Sequence, residues 1–197
     1  MADSVVQICN NALGSIGELP ITSLTDNTKA ARACNQRWTS VRDAVLRAHE
    51  WACCSTDASL SASSTVPLSP EWDYAYPLPA DFLRIIRVST TDAAVVDLWE
   101  IVGRQMLCNE VAPIIIRYVK RETDPTQYDS LLSEALTARL AHALAPALEL
   151  VSASMNKELW QAYSDILREA RGVNARDVQP RTLTTSTWAA AKRGTGS

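Results

Sequence analysis

The stretch YDSLLSEALTARLAHALAPALELV, residues 128–151, decides the fold because nearly every face of it carries Ala or Leu. One face repeats at the helical period and consists of Leu132, Leu136, Leu140, Ala143 and Ala147. The other faces are also apolar, so we predict that this helix is the most buried element of the protein. Asp124 and Pro125 provide a start for it. Pro146 is expected to kink the helix or end it nearby, because proline cannot donate a backbone hydrogen bond.

Two helices earlier in the chain have faces suited to packing against this segment. Ser4 and Gln7 have the spacing of a capping box, so the first helix is predicted to begin at Ser4. A second, longer helix is predicted to run to about His49, with Asp26 and Asn27 as the acceptors that cap it. Its apolar stripe alternates steps of three and four residues and consists of Ala31, Cys34, Trp38, Val41, Val45 and Ala48. Such a stripe requires a partner helix.

The middle of the chain changes from helical to strand-forming sequence. Residues 55–70, STDASLSASSTVPLSP, are rich in small hydroxyl residues and contain two prolines, which predicts a flexible loop. Residues 71–122 contain the segments YAYPLP, LRIIRV, LWEIV, QMLC and IIIRYV, which favour a small antiparallel sheet. Gly103 and Arg104 separate two of these segments, and glycine in the first central position predicts a type II′ hairpin turn.

The end of the chain combines one more helix with a basic tail. The helix is predicted from about Asn156 to Arg171, with Gly172 ending it. Residues 173–197 contain too few apolar residues to fold alone. Their local excess of positive charge comes from Arg176, Arg181, Lys192 and Arg193 against Asp177. Trp188 is the lone large apolar residue there, so it is either an anchor that docks into a neighbour's pocket or part of a disordered segment.

Together these elements predict a mainly α protein with one principal domain, in keeping with a length of 197 residues. Residues 1–54 and 123–172 would form one helical bundle from the two ends of the chain. The loop 55–70 and a β-rich insertion over 71–122, a small antiparallel sheet, would lie between the second and third helices. Residues 173–197 would form an extended C-terminal tail.

Composition limits the classes of function. Apolar residues make up 47% of the chain and charged residues 21%, which is ordinary for a globular protein. No apolar run approaches the roughly 20 residues of a membrane span, and no basic segment precedes the first apolar residues, so we expect neither a membrane protein nor a signal peptide. The net charge of -3 argues against a conventional nucleic-acid binder. The odd number of cysteines predicts buried free thiols in a reducing cytoplasm.

The common catalytic and cofactor motifs are absent from the sequence, and we expect neither an enzyme nor a cofactor or metal. The histidines, His49 and His142, are interpreted as structural. Carboxylates that could form a glycosidase pair, such as Glu134 and Glu149, are ordinary positions on a helix surface. Tryptophans can form a stacking platform for sugars or bases, but Trp38 and Trp160 lie on or beside packing faces, so a core role is favoured for both.

Several phrases, in their order along the chain, resemble the head-to-tail adaptor family of tailed bacteriophages, often called tail tubular protein A or gatekeeper in short-tailed phages. They span roughly residues 5 to 150. The phrases are ICNNALGSIGELPITSL, RWTSVRDAVLRAHEWACC, YAYPLPADFLRIIRV, WEIVGRQMLC and RYVKRETDPTQYDSLLSEALTARLAHALA. The resemblance implies a helical bundle with a β-rich insertion. It also implies a dodecameric ring between portal and tail, through which DNA passes without sequence-specific binding.

The family role leads to expectations about partners and contacts. The partners would be the portal protein, a tail nozzle or other tail-completion protein, and other copies of the chain, at the head-tail junction of a virion made in the host cytoplasm. The basic tail could bind an acidic portal surface, which makes its charged residues and tryptophan the candidate portal contacts: Arg176, Arg181, Trp188, Lys192 and Arg193. The loop would contact a ring neighbour or the next tail component through Ser59, Leu60, Val66 and Leu68.

Two other classes of function stay open at this point. A tail protein that degrades peptidoglycan would reduce the turbidity of a peptidoglycan suspension. A small helical regulator would bind specific DNA with an affinity that falls steeply with salt, and the acidic pI of about 5.4 counts against it.

Overall fold

A computed structural model of the protein describes residues 4–65, 67–149 and 152–177. In these residues the helices are α1 (Val5–Ser15), α2 (Lys29–Ala48), α3 (Ser130–Leu148) and α4 (Ala153–Asp177). The strands are β1 (Ser55–Leu60), β2 (Tyr74–Pro77), β3 (Phe82–Thr90), β4 (Glu100–Val102), β5 (Gln105–Cys108) and β6 (Ile114–Lys120). Short 3-10 helices occupy Ala52–Cys54 and Pro125–Gln127.

The first helix begins as its sequence predicts. The Ser4 side chain accepts a hydrogen bond from the Gln7 backbone N–H at 3.1 Å, which caps the N-terminus. At the other end, Gly17 adopts a φ of 78°, and the Glu18 N–H donates to the carbonyl of Leu13 at 3.0 Å. This is a Schellman motif, which glycine stabilises because a side chain would be strained at a positive φ.

The cap of α2 differs from the prediction. Thr28, and neither Asp26 nor Asn27, is the N-cap, and its side chain accepts from the Ala31 N–H at 3.1 Å. The Asp26 carboxylate instead accepts from the Ser23 N–H at 3.0 Å and from the Thr22 N–H at 2.8 Å within the preceding turn. These backbone hydrogen bonds hold the pKa of Asp26 below its usual value.

The central role predicted for the third helix is confirmed. Helix α3 packs against α1, α2 and α4. Its fully buried leucines are Leu132, Leu136, Leu140 and Leu144. The helix ends two residues after Pro146, where Glu149 takes the left-handed conformation with a φ of 59°.

The predicted bounds of the last two helices need correction. Asp124 and Pro125 begin a separate 3-10 turn, and α3 starts only after a second cap, Asp129, which accepts from the Leu132 N–H at 2.7 Å. Helix α4 continues through Gly172 to Asp177, because a helix tolerates a single glycine at a cost of about 1 kcal/mol. The extended tail predicted over 173–197 is therefore wrong for its first five residues.

The strands form two three-stranded antiparallel sheets with the orders β1-β6-β3 and β2-β5-β4. The predicted mainly α fold with one small sheet is therefore wrong: the described residues form four α-helices and two three-stranded antiparallel sheets, a mixed α/β fold. The flexible loop predicted over 55–70 is also wrong for Ser55–Leu60, which pair with β6 along its whole length. The sequence of this strand is polar because the strand lies at a sheet edge and exposes alternate side chains.

The two sheets and the helices enclose two cores. Alternation along β6 sends Val119 into the helical core, and Ile114 and Ile116 into a second core shared with Tyr76 and Met106 of the other sheet. The first sheet contributes to both cores and so lies between the helices and the second sheet. The second sheet forms the outer layer.

Candidate interaction surfaces

The first candidate surface is one end of the second sheet. Strands β2 and β4 both pair antiparallel with β5, so their first residues lie beside its last residues. Three segments therefore meet at this end: residues 67–73, 97–99 and 109–111. We call these three segments the rim.

Hydrogen bonds hold the segments of the rim together. The Asp73 N–H donates to Asn109 Oδ1 at 2.8 Å, and Asn109 Nδ2 donates to the carbonyl of Glu71 at 3.1 Å. The hydroxyl of Tyr76, inside the second core, donates to the carbonyl of Glu110. Burial raises the pKa of Tyr76 to about 12, so this hydroxyl keeps its proton at physiological pH. The rim is thus anchored to the second core.

The rim is both acidic and apolar. Its exposed carboxylates are Glu71, Asp73, Asp97 and Glu110, and its three segments contain no Lys or Arg. None of the four forms an ion pair with a residue that the structure describes. Beside them, Leu68 is fully exposed, Leu98 is 78% exposed and Val111 is 68% exposed. Large apolar side chains grouped in this way are typical of contact surfaces.

Exposed apolar side chains also lie on β4, which is the last strand of its sheet. Its Ile101 and Val102 are exposed, and among the described residues its backbone pairs only with β5. The strand ends in the predicted two-residue hairpin, where Gly103 has a φ of 61°. An unpaired edge of this kind can accept another chain.

The second candidate surface lies on the first sheet and carries positive charge. Arg87 of β3 and Arg117 of β6 are directly opposite each other across neighbouring strands. Alternation places both on the face turned away from the second core, which Val88 and Ile116 fill. We call these two arginines the arginine face.

Like charges placed directly opposite in a sheet repel each other. Neither arginine forms an ion pair or a hydrogen bond with any residue in the described part of the chain. Asp57 of β1 lies on the other side of Arg117, and these two side chains also form no ion pair. The arginine face therefore has donors free for another molecule.

A third cluster joins α3 to α4. The Arg139 guanidinium lies 5.1 Å from the centre of the Trp160 ring, and its Nη1 donates to His142 Nδ1 at 3.0 Å. Burial, then the charge of Arg139, lowers the pKa of His142, which is consistent with a neutral ring accepting this hydrogen bond. Trp160 is 44% exposed, so the core role favoured for it is wrong, whereas Trp38 is buried as expected. The cluster holds two helices together.

All five cysteines are free thiols, as predicted. Cys53 Sγ lies 3.7 Å from Cys54 Sγ and 3.5 Å from Asp129 Oδ2. The hydrogen bond with Cys54 lowers the pKa of Cys53, the one cysteine that is partly exposed. The contact between Cys9 and Cys34, together with burial, raises the pKa of Cys9. Among the described residues, no group of three or more His, Cys, Asp or Glu residues has the arrangement of a metal site.

An open groove of about 410 Å³ lies between α1, α3 and α4. Its lining is mostly small side chains, and Glu134 is the only ionisable residue among the described residues that form it. Glycoside hydrolysis commonly requires two carboxylates at a defined separation. The groove therefore does not supply the pair that a peptidoglycan hydrolase of that type would use.

The predicted contact residues of the loop fall on different surfaces. Ser59 is exposed in β1, two residues along from Asp57, which lies opposite Arg117, and Leu68 is on the rim. Leu60 is buried in the second core, which corrects its prediction as a surface contact, because alternation along β1 turns it inwards. Val66 lies outside the described residues.

The predicted portal contacts lie at or beyond the end of the structure. Arg176 is in the last turn of α4. The others fall outside the described residues: Arg181, Trp188, Lys192 and Arg193. Sequence reasoning missed the rim and the arginine face, although both left a signal. The rim segments lack any Lys or Arg, and LRIIRV and IIIRYV both contain arginine between apolar residues.

No protein-family model matches the chain, and no curated protein shows significant sequence similarity to it. In the part of the chain that the structure describes, no helix is both long and apolar enough to cross a membrane.

Proposed function

We propose that this protein is a structural head-to-tail adaptor of a tailed bacteriophage, forming a ring between portal and tail through which DNA passes. The observation that carries the proposal is the pair of unpartnered surfaces on the sheets, one acidic and apolar, the other carrying two arginines. Surfaces of this kind suit assembly with other chains. The quoted phrases that resemble the adaptor family, and the order of helices, strands and helices, support the same class.

The architecture is suited to such a role. Well-capped helices around the buried α3 give a stable body. The two sheets, inserted in sequence between α2 and α3, form two further layers, with the second sheet outermost. The partners in this proposal are the portal protein, a tail nozzle or other tail-completion protein, and further copies of the chain. DNA would pass through the channel without sequence-specific contacts, in keeping with a net charge of -3.

In this proposal the basic C-terminal segment contacts the portal through Arg176, Arg181, Trp188, Lys192 and Arg193. Because α4 continues to Asp177, a truncation should remove residues 178–197 and leave the helix complete. We expect the truncated chain to stay folded and to lose affinity for the portal. Unchanged portal affinity after this truncation would contradict the assigned contacts.

The proposal is tested by the mass of the full chain, alone and with portal rings, measured by native mass spectrometry. We expect several copies to join each portal as a closed ring. A chain that ignores a panel of portals would contradict the adaptor function. A fall in peptidoglycan turbidity or salt-sensitive binding to specific DNA would then favour the hydrolase or the regulator.

A further inference from the structure

The rim and the arginine face carry charges of opposite sign, with Arg117 exposed and Arg87 half-buried. The rim carries four exposed carboxylates and no cation, and the arginine face carries two guanidinium groups opposite each other. Neither set is neutralised by an ion pair with the described residues. Each copy of the chain therefore presents an acidic rim and a pair of arginines on the first sheet. The two surfaces approach each other at Asp97, because the N–H of the preceding Val96 donates to the Val88 carbonyl at 3.0 Å.

We propose that the rim of one copy binds the arginine face of the next copy, and that this contact repeats around the ring. The proposal deepens the assembly described above and rests on it for the ring. A contact between two different surfaces of identical chains is heterologous, and such contacts close into rings when the rotation between neighbours allows it. One acidic and one basic surface per chain meet this requirement.

The chemistry of the two surfaces is complementary. A guanidinium presents a planar fork of N–H donors that matches a carboxylate, and such bonds are stronger than those between neutral groups. The two arginines are held side by side on paired strands, so they can engage carboxylates of the rim together. Opposite charges from a neighbour would also relieve the repulsion between Arg87 and Arg117.

The apolar part of the rim supplies area that the charges alone would not. Leu68, Leu98 and Val111 are exposed beside the carboxylates, and Ile101 and Val102 are exposed on opposite faces of the edge strand β4. Interfaces between proteins typically combine an apolar centre with a polar surround, in which charge sets the orientation and the rate of encounter. A second copy would cover these side chains.

The test reverses charges on the full chain. One variant combines Glu71→Lys with Asp73→Lys on the rim, a second combines Arg87→Glu with Arg117→Glu, and a third carries all four substitutions. A control combines Glu158→Lys with Glu169→Lys on the exposed side of α4, which changes the net charge as much as the rim variant does. Circular dichroism verifies that each variant is folded.

Self-association is measured by sedimentation for the free chain and by native mass spectrometry on portal rings. We expect each two-residue reversal to weaken association at least tenfold, and the control to leave it within about twofold. The four-residue variant, and an equimolar mixture of the two reversal variants, should associate again, because each restores opposite charges at the contact. Added salt should weaken association of the wild-type chain.

The outcomes separate the two proposals. Rings on the portal that are insensitive to both reversals would overturn the contact but leave the adaptor function standing. Self-association that responds to the reversals and is restored in the four-residue variant, without binding to any portal, would support the contact and contradict the adaptor function. Loss of association in both reversal variants without recovery in the four-residue variant would overturn the pairing of these two surfaces.

Discussion

Replacing Asp43 with alanine should destabilise the protein strongly, because this carboxylate is the partner of a buried guanidinium. Arg42 donates to Asp43 Oδ1 from Nε at 3.0 Å and from Nη2 at 2.8 Å, and only 9% of the Arg42 side chain is exposed. Arg121, which follows β6, donates to Asp43 Oδ2 at 2.8 Å and ties the helices to the first sheet. Asp43→Ala leaves both guanidinium groups without this partner.

The magnitude follows from the exposure of each group. Removing one partner of a buried ion pair costs about 3–5 kcal/mol. The Asp43 side chain is 25% exposed, so water can partly take its place beside Arg42, and we expect the free energy of unfolding to fall by about 2–3 kcal/mol. The bond to Arg121, whose side chain is 37% exposed, adds less than about 1 kcal/mol. For a chain of this length, the loss corresponds to a fall in Tm of about 4–12 °C.

Urea unfolding at pH 7, followed by tryptophan fluorescence and by circular dichroism, measures this change as a lower midpoint at an unchanged m-value. The matched control is Asp165→Ala, because Asp165 also pairs with an arginine on a helix but its side chain is 50% exposed. The control should lose less than about 0.5 kcal/mol. Adding Arg42→Met to Asp43→Ala should recover part of the loss, because no buried charge remains unpaired. A loss from Asp43→Ala as small as that of the control would refute the reasoning.

Three further outcomes are expected. Burial disfavours the charged form of Glu122 and so raises its pKa. Hydrogen bonds, above all from Lys120, outweigh this and lower the pKa below the usual 4.5. Glu122→Gln should therefore lose about 1–2 kcal/mol at pH 7, and its difference from wild type should shrink as urea unfolding is repeated below pH 4.5. Iodoacetamide should modify Cys53 first, by peptide mapping, because its pKa is lowered while Cys54 and the other thiols are buried; equal labelling of all five would contradict this. Arg87→Thr should raise the free energy of unfolding by about 0.2–1 kcal/mol while weakening assembly, because it removes the like-charge pair and leaves Arg117 opposite Asp57; a loss of stability would contradict the repulsion.

The helical part of the fold could be predicted because its signals are local. The alternating stripe of α2 and the leucine repeat of α3 depend only on the helical period. The leucines are buried as expected, and so is the stripe of α2 except for Ala48; Ala143 and Ala147, predicted on the same face of α3, are half-buried. The end of α4 was missed because Gly172 was read as a stop. A glycine ends a helix reliably only where the chain turns to a positive φ, as it does at Gly17.

The sheets could be predicted only in part, because strand pairing depends on residues far apart in sequence. Ser55 pairs with Val119, and no local pattern in the polar run that begins at Ser55 indicates this partner. The hairpin at Gly103 was predictable because its turn chemistry is local. Division of the strands between two sheets follows from long-range pairing, which the sequence patterns do not specify.

The rim and the arginine face could not be located from the sequence for the same reason. A net charge of -3 says little about partners by itself. Where like charges are grouped becomes visible only once the pairing register of the strands is known. The register places Arg87 opposite Arg117 and gathers the carboxylates at the far end of the second sheet. In an isolated chain both arrangements are unfavourable, since like charges repel and exposed leucines remain in water. A neighbouring copy would remove both penalties at once, so the features that weaken the free protein are those that would hold an assembly together.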